Sequence, residues 1–226
     1  MRALVSAGAD VNLQRNDGSS PLSAASEEGH IDCVKLLLGH GAGVETCNKS
    51  ATPLCMACSQ GHIEVVHFLI EQHADVNATT DGQSCLMLAA FDGHTDVVRA
   101  LVSAGADVNL QRKDGASHIS AACKKGHIDT VVMLLDGGAD IEMRTSYGET
   151  AVYWAALFGQ IDVLDALIAR GADVDAVSYS VWSPLCAAAI KGHVDVVKRL
   201  IQHKANIIGE EGGFQDPLSC VAAWGK

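Results

Sequence analysis

The sequence predicts an all-α solenoid, in which short helix-turn-helix units stack in series and are joined by short β-hairpin loops. Three observations predict it. The dipeptide Gly-His recurs at 29–30, 61–62, 93–94, 126–127 and 192–193, with Gly159-Gln160 filling the gap, so the chain repeats every 32 or 33 residues. A Gly-Ala-Asp marker keeps the same register at 8–10, 105–107, 138–140 and 171–173, and is blurred at 41–43, 73–75 and 204–206. Ser/Thr-Pro-Leu opens units at 20–22, 52–54 and 183–185. A period of this length marks stacked units, none of which can bury its apolar face alone.

Within a unit, the first helix opens on a Ser or Thr that caps it, followed where present by Pro at the first helical position. About two turns later a Gly ends it. The second helix is amphipathic: in "HIEVVHFLIEQ" (62–72), Val65, Val66, Leu69 and Ile70 share one face. Its first turn carries an acid in every copy, at Asp32, Glu64, Asp96, Asp129, Asp162 and Asp195. A carboxylate there is favoured by the helix dipole by about 0.3–1 kcal/mol. With the five aspartates of the Ala-Asp marker, these make 11 of the 27 acidic residues structural. "GADVN" then leads into an extended hairpin.

The period and the Thr-Pro-Leu opening resemble the ankyrin repeat, and the resemblance covers nearly the whole chain as one domain, 1–226. Six complete repeats fit, at 17–48, 49–80, 81–113, 114–146, 147–179 and 180–212, with partial repeats at 1–16 and 213–226. The family usually reads Thr-Pro-Leu-His, whose imidazole ties neighbouring loops together. Here that slot holds Ser23, Cys55, Met87, Ser120, Tyr153, Cys186 and Ser219. That tie is therefore absent, and a softer array than an idealised one is expected. Residues 2–20 and 99–117 differ at only two positions, as duplication of a block of repeats would leave them. Neither end reads as a polar cap, since Leu218, Val221 and Trp224 have no second helix to cover them. Fraying, or end-to-end self-association through the terminal repeats, is the expectation.

Composition narrows the class. The chain has 226 residues, 48% of them hydrophobic, and a net charge of −11, which suits a globular protein and argues against nucleic acid. No apolar run approaches the roughly 20 residues of a membrane span, and the start reads as no signal peptide, so an intracellular, cytoplasmic protein without membrane insertion is expected. The eight cysteines, among them Cys58, Cys123 and Cys186 at helical apolar positions, read as reduced, packed thiols rather than disulfides.

Motifs for chemistry are missing, so neither an enzyme, a cofactor, a metal nor a small-molecule substrate is expected. The Gly-His imidazoles occur one per repeat, and packed helices lie about 8–10 Å apart, so they cannot converge on one ion. "HIEVVH" (62–67) has neither the Glu position nor the His spacing of a zinc protease. "CMAC" (55–58) lies inside a first helix, away from the strand-to-helix junction of a redox pair, and reads as two thiols. "GEEGGF" (209–214) is acidic and would repel a phosphate.

The resemblance implies a protein–protein interaction module, a scaffold or adaptor whose protein or peptide partner lies on a concave groove formed by hairpin tips and first-helix ends. The two residues before each helix-ending Gly read Glu27-Glu28, Ser59-Gln60, Phe91-Asp92, Lys124-Lys125, Leu157-Phe158 and Ile190-Lys191. Charges in four of these slots mean the site normally faces water. Leu157 and Phe158 break that pattern, and all the Trp and Tyr residues fall after position 146. Trp154 occupies a slot that is always apolar and is assigned to the core. The candidate partner-binding residues are Phe91, Lys124, Lys125, Tyr147, Leu157, Phe158, Tyr179, Trp182, Ile190 and Lys191. They suit an extended or helical partner segment with an acidic end and an apolar anchor. The alternative is that some of these side chains pack on each other. Two further roles follow from resemblance alone. Residues 84–99 are similar to ankyrin repeats of cullin-type ubiquitin-ligase substrate receptors, although no ligase-binding box accompanies them. Asn12, Asn77 and Asn109, with Leu4, Leu69 and Leu101 eight residues earlier, match the asparaginyl hydroxylation sites of the family.

Overall fold

The structure is a computed structural model that describes residues 10–16, 18–46, 51–180 and 182–207. The chain divides into two compact units, Met1–Val108 and Asn109–Lys226. Within the first, the described residues form the helix pairs α1 (Pro21–Glu27) and α2 (Ile31–Gly39), α3 (Pro53–Gln60) and α4 (Ile63–Glu71), and α5 (Cys85–Asp92) and α6 (Thr95–Ser103). First helices pack on first helices, α1 on α3 and α3 on α5, and second helices on second helices. The second unit holds α7 (His118–Lys125) with α8 (Ile128–Asp136), α9 (Ala151–Leu157) with α10 (Ile161–Ala169), and α11 (Pro184–Lys191) with α12 (Val194–Gln202). Here α9 sits between α7 and α11, and α10 contacts α8 and α12.

The caps follow the sequence. Ser20, Thr52, Ser84, Ser117, Thr150 and Ser183 each accept the backbone N–H three residues on, with Pro21, Pro53 and Pro184 at the first helical position. Gly61, Gly93, Gly126 and Gly192 end their helices in the left-handed conformation that a Cβ disfavours. The predicted acids all fall in first turns of second helices.

The core of each unit is built from two leucine-type positions per repeat. Leu22, Leu54 and Leu86 from the first helices and Leu37, Leu69 and Leu101 from the second are fully buried in the first unit. Ile119, Val152 and Leu185 with Leu134, Leu167 and Leu200 do the same in the second. Each such burial is worth about 1.5–3 kcal/mol, and the helices that carry these side chains pack both within their own repeat and on the neighbouring one.

The extended hairpins are slighter than the sequence suggests. Among the described residues, ladder pairing is confined to β1 (Thr79–Thr80) against β2 (Gln83–Ser84), plus one bridge between Gln111 and Ser117. The loop backbone instead bonds to side chains of the preceding repeat. In the first unit the amides of Gly43, Asp75 and Asp107 donate to the side chains of Asn12, Glu45 and Asn77, at 3.0, 2.7 and 2.8 Å. In the second, Asp140, Asp173 and Asn206 donate to Asn109, Glu142 and Asp175, at 2.8, 2.7 and 2.8 Å.

The Gly-His imidazoles add a second set of ties. The Nε2 of His62, His94 and His193 bonds the carbonyls of Glu27, Ser59 and Leu157, each in the preceding repeat, at 2.9, 3.2 and 3.2 Å. Each ring lies over the preceding repeat's helix-ending glycine. A Cβ on Gly29 would come within 2.6 Å of His62, and one on Gly61 within 2.5 Å of His94. These imidazole ties belong to the Gly-His slot and not to the Thr-Pro-Leu-His slot.

The cysteines correct the expectation in part. Cys58, Cys123 and Cys186 are buried and stand outside any disulfide, as expected of packed thiols. Cys55 and Cys85 are joined as a disulfide across successive repeats, with Cα atoms 4.6 Å apart. The CxxC of α3 is therefore neither a redox pair within the helix nor two equivalent thiols. Ser219 of the Thr-Pro-Leu-His slot, the apolar end at Leu218, Val221 and Trp224, the glycine-rich 209–214 and the partial repeat 213–226 lie outside the described residues, as do Leu4 and most of 1–16.

Candidate partner-binding surface

The end of α9 differs from its counterparts in what it leaves in water. Thr150 caps the helix through the Tyr153 amide, and the chain leaves the helix at Phe158, one residue before Gly159. Of the two apolar residues there, Leu157 is half-buried while Phe158 is 40% exposed. The Phe158 ring stacks on the Trp154 indole, with centroids 5.8 Å apart and planes 16° from parallel. Tyr153 meets the indole edge-on at 6.3 Å. Lys124, in the last turn of α7, holds its Nζ 5.4 Å from the centroids of both Trp154 and Phe158. A cation over an aromatic face contributes about 0.5–1 kcal/mol at an exposed site. The C-terminal dipole of α7 favours the same charge.

Two aromatic rings and an ammonium from successive first helices thus form one continuous element. Phe158 packs on its neighbour and still presents apolar surface to solvent. Lys124 and Lys125 are both exposed. In α11, Ile190 is half-buried and Lys191 exposed.

Trp154 is the correction. Its slot is apolar in every repeat, which suggested core, but the slot lies at the margin of the first-helix layer. Ala187 is 1% exposed there, whereas Ala24, Met56, Leu88 and Trp154 retain accessible surface. An indole is too large to be swallowed at that depth. Its Nε1 is buried without a hydrogen-bond partner, while its face supports Phe158 and Lys124. The buried aromatic of α9 is Tyr153, 8% exposed, whose phenol is pushed above its usual range by burial, with Glu149 and Cys186 adding to the effect.

The hairpin residues form a separate group. Tyr147 and Tyr179 are 65% and 71% exposed. They are linked through the backbone, the Tyr179 amide donating to the Tyr147 carbonyl at 2.8 Å. The Tyr179 ring lies over Gly148, where a Cβ would meet it at 2.6 Å. Trp182 is half-buried and exchanges hydrogen bonds with Ser178 through its backbone. Phe91 is half-buried in the first unit, and the other candidates belong to the second.

Arg144 is a residue that sequence reasoning missed. Its guanidinium donates to the carbonyls of Gly148 at 2.9 Å and Val177 at 2.8 Å, pinning one hairpin to the next. Gln111, one period earlier, does the same to Gly115 and Arg144. The alignment of Gln111, Arg144 and Val177 at intervals of 33 residues was the available signal.

Asn12, Asn77 and Asn109 are exposed, and each spends its amide oxygen on the next repeat. Asn12 and Asn109 also donate to the carbonyls of Gly41 and Gly138. Their side chains are structural rungs in this conformation.

Comparison with known families gives the same architecture throughout. A family model for ankyrin repeats in three copies matches residues 1–81 and 86–178, and a single ankyrin repeat model matches 182–209. No helix among the described residues is long and apolar enough to cross a membrane.

Proposed function

The chain belongs to the ankyrin repeat family, whose repeats are protein–protein interaction modules without catalytic activity, and we propose that it binds its partner on the second unit. The observation that carries this reading is Phe158: an apolar ring 40% exposed, held on Trp154 and flanked by Lys124, in a slot that is polar in every other complete repeat. Aromatic residues on a preorganised support are the usual anchors of interfaces. The lysines at 124, 125 and 191 supply positive charge on an otherwise acidic chain. An acidic peptide segment with an apolar anchor is the partner chemistry these residues favour, and Tyr147, Tyr179 and Trp182 on the hairpins extend the contact area.

The test compares three forms as bait in an extract of the native source: wild type, a Phe158→Ala/Trp182→Ala double variant, and a Gln60→Ala control on the first unit. A partner retained by wild type and control and lost by the double variant is then purified and titrated. Affinity should fall by about 2 kcal/mol or more in the double variant, with the helical circular dichroism unchanged. Equal affinity for all three forms rejects the surface.

A further inference from the structure

Independently of partner binding, we propose that Cys55 and Cys85 form a reversible modification site, a dithiol–disulfide pair that staples the second repeat to the third and takes a low-molecular-weight disulfide such as glutathione disulfide as its oxidant.

The placement is specific. Cys55 lies in the first turn of α3 and Cys85 is the first residue of α5, and the two helices pack directly on each other. Their Cα atoms are 4.6 Å apart, inside the window of about 4.4–6.8 Å that a disulfide spans without moving the backbone. At the other junctions within the two units, the corresponding residues are Ser23 and Pro53, Ser120 and Ala151, and Tyr153 and Pro184. This junction alone among them carries two thiols, so the pair is no by-product of the repeat template.

The exchange balances in two steps. The thiolate of one cysteine attacks a sulfur of glutathione disulfide, forming a mixed disulfide and releasing one glutathione thiolate. The second cysteine, deprotonated, attacks the protein-side sulfur, closing the Cys55–Cys85 bond and expelling the second glutathione. The protein loses two electrons and two protons, and one glutathione disulfide becomes two glutathiones. Burial does not set the pair apart, since Cys58 and Cys123 are buried as deeply and their thiols are held far above the ordinary range while the helices stay packed. What distinguishes Cys55 and Cys85 is that each faces the other across the α3–α5 junction.

Burial also sets how the pair behaves. Cys55 and Cys85 are both fully buried, so glutathione reaches neither while α3 and α5 are packed. Exchange therefore follows opening of this junction, and closure traps whichever state was formed. The cross-link joins residues 30 apart, which restricts the opened chain and favours reclosure. The pair acts as a latch on the first unit, set when the junction opens and held when it is shut.

The experiment uses the full chain equilibrated in oxidising and in reducing glutathione buffers, then denatured and alkylated with N-ethylmaleimide. Trypsin, cutting after Lys49 and Arg99, releases residues 50–99 with Cys55, Cys58 and Cys85 on one peptide. From the oxidising buffer this peptide should carry one maleimide, on Cys58, and be two mass units lighter than the reduced form before labelling. From the reducing buffer it should carry three. Exchange in native buffer should be at least tenfold slower than in a denaturant concentration that opens the chain. The denaturation midpoint should fall on reduction in wild type and not in a Cys55→Ser/Cys85→Ser variant. Three maleimides from both buffers, a bond to Cys58 instead, or equally fast exchange with and without denaturant would overturn the proposal. The peptide mapping needs wild type alone, so a poorly folding variant leaves it decisive.

Discussion

Phe158 lies nearly parallel to Trp154 at 5.8 Å, and the two rings have opposite relations to the protein around them. Trp154 is wedged at the margin of the helix layer, with its Nε1 buried. Phe158 rests on it from outside. Substitution should separate the two. Trp154→Ala should lower stability by about 3 kcal/mol, in the range of large aromatic truncations. Phe158→Ala should cost about 1 kcal/mol, chiefly the lost ring pair and the Lys124 contact. Urea denaturation followed by circular dichroism gives both values. Equal losses would mean that Phe158 is a core residue.

Glycines in the left-handed conformation should sort by what faces them. Gly61 has φ +76° and the His94 ring over it, whereas Gly105 has φ +87° and no atom within 4 Å of where an alanine methyl would sit. Gly105→Ala should cost about 1 kcal/mol, the backbone term alone. Gly61→Ala should cost about 2 kcal/mol, because the methyl also displaces the imidazole from the Ser59 carbonyl. In a double-mutant cycle with His94→Ala, that additional loss should disappear.

The hairpin rungs should tolerate an exchange of acceptor but not its removal. Asn77 accepts the Asp107 amide, and Glu45 accepts the equivalent Asp75 amide one repeat earlier. Asn77→Glu should therefore stay within about 0.5 kcal/mol of wild type, while Asn77→Ala loses about 1 kcal/mol. Amide exchange at Asp107 is the direct readout: it should accelerate in the alanine variant and remain slow in the glutamate variant.

Tyr153 should make stability depend on alkaline pH. Its folded-state phenol is raised above the ordinary value of 10.0 by burial first, with Glu149 and Cys186 acting in the same sense. The unfolded chain releases the proton first, so the folded state binds more protons in this window and stability falls as pH rises. The contribution is complete below about pH 10 and is lost as pH climbs through the folded value. Thermal midpoints measured from pH 8 upward should decline above that point, and Tyr153→Phe should flatten the decline.

The fold was legible because its determinants repeat. Leu54 and Leu69, Thr52 and Gly61 each have counterparts one period away, and a column of like residues reports a shared environment. What the columns could not report is depth. Ala24 and Ala187 share a slot with Trp154, yet one is exposed and the other buried, so an apolar column did not locate the indole. The Cys55–Cys85 pair was hidden for a geometric reason. Its separation of 30 residues joins two different slots in neighbouring repeats, and alignment by period never sets them side by side. The imidazole ties were hidden similarly, since His62 bonds a carbonyl 35 residues earlier, at the end of a different helix. Phe158 was readable for the opposite reason: it departs from a column that is otherwise polar.

The hairpin rungs give every repeat a direction. One side offers a side-chain acceptor and the other a backbone donor, so a unit fits in front of any sibling and behind any other, as interchangeable parts do. Lengthening such an array by whole units leaves no orphaned polar group at the new joint. Residues 2–20 and 99–117, alike at all but two positions, have the form that this kind of copying would produce. The same polarity lets individual helix ends, such as that of Phe158, diversify without disturbing how the parts join.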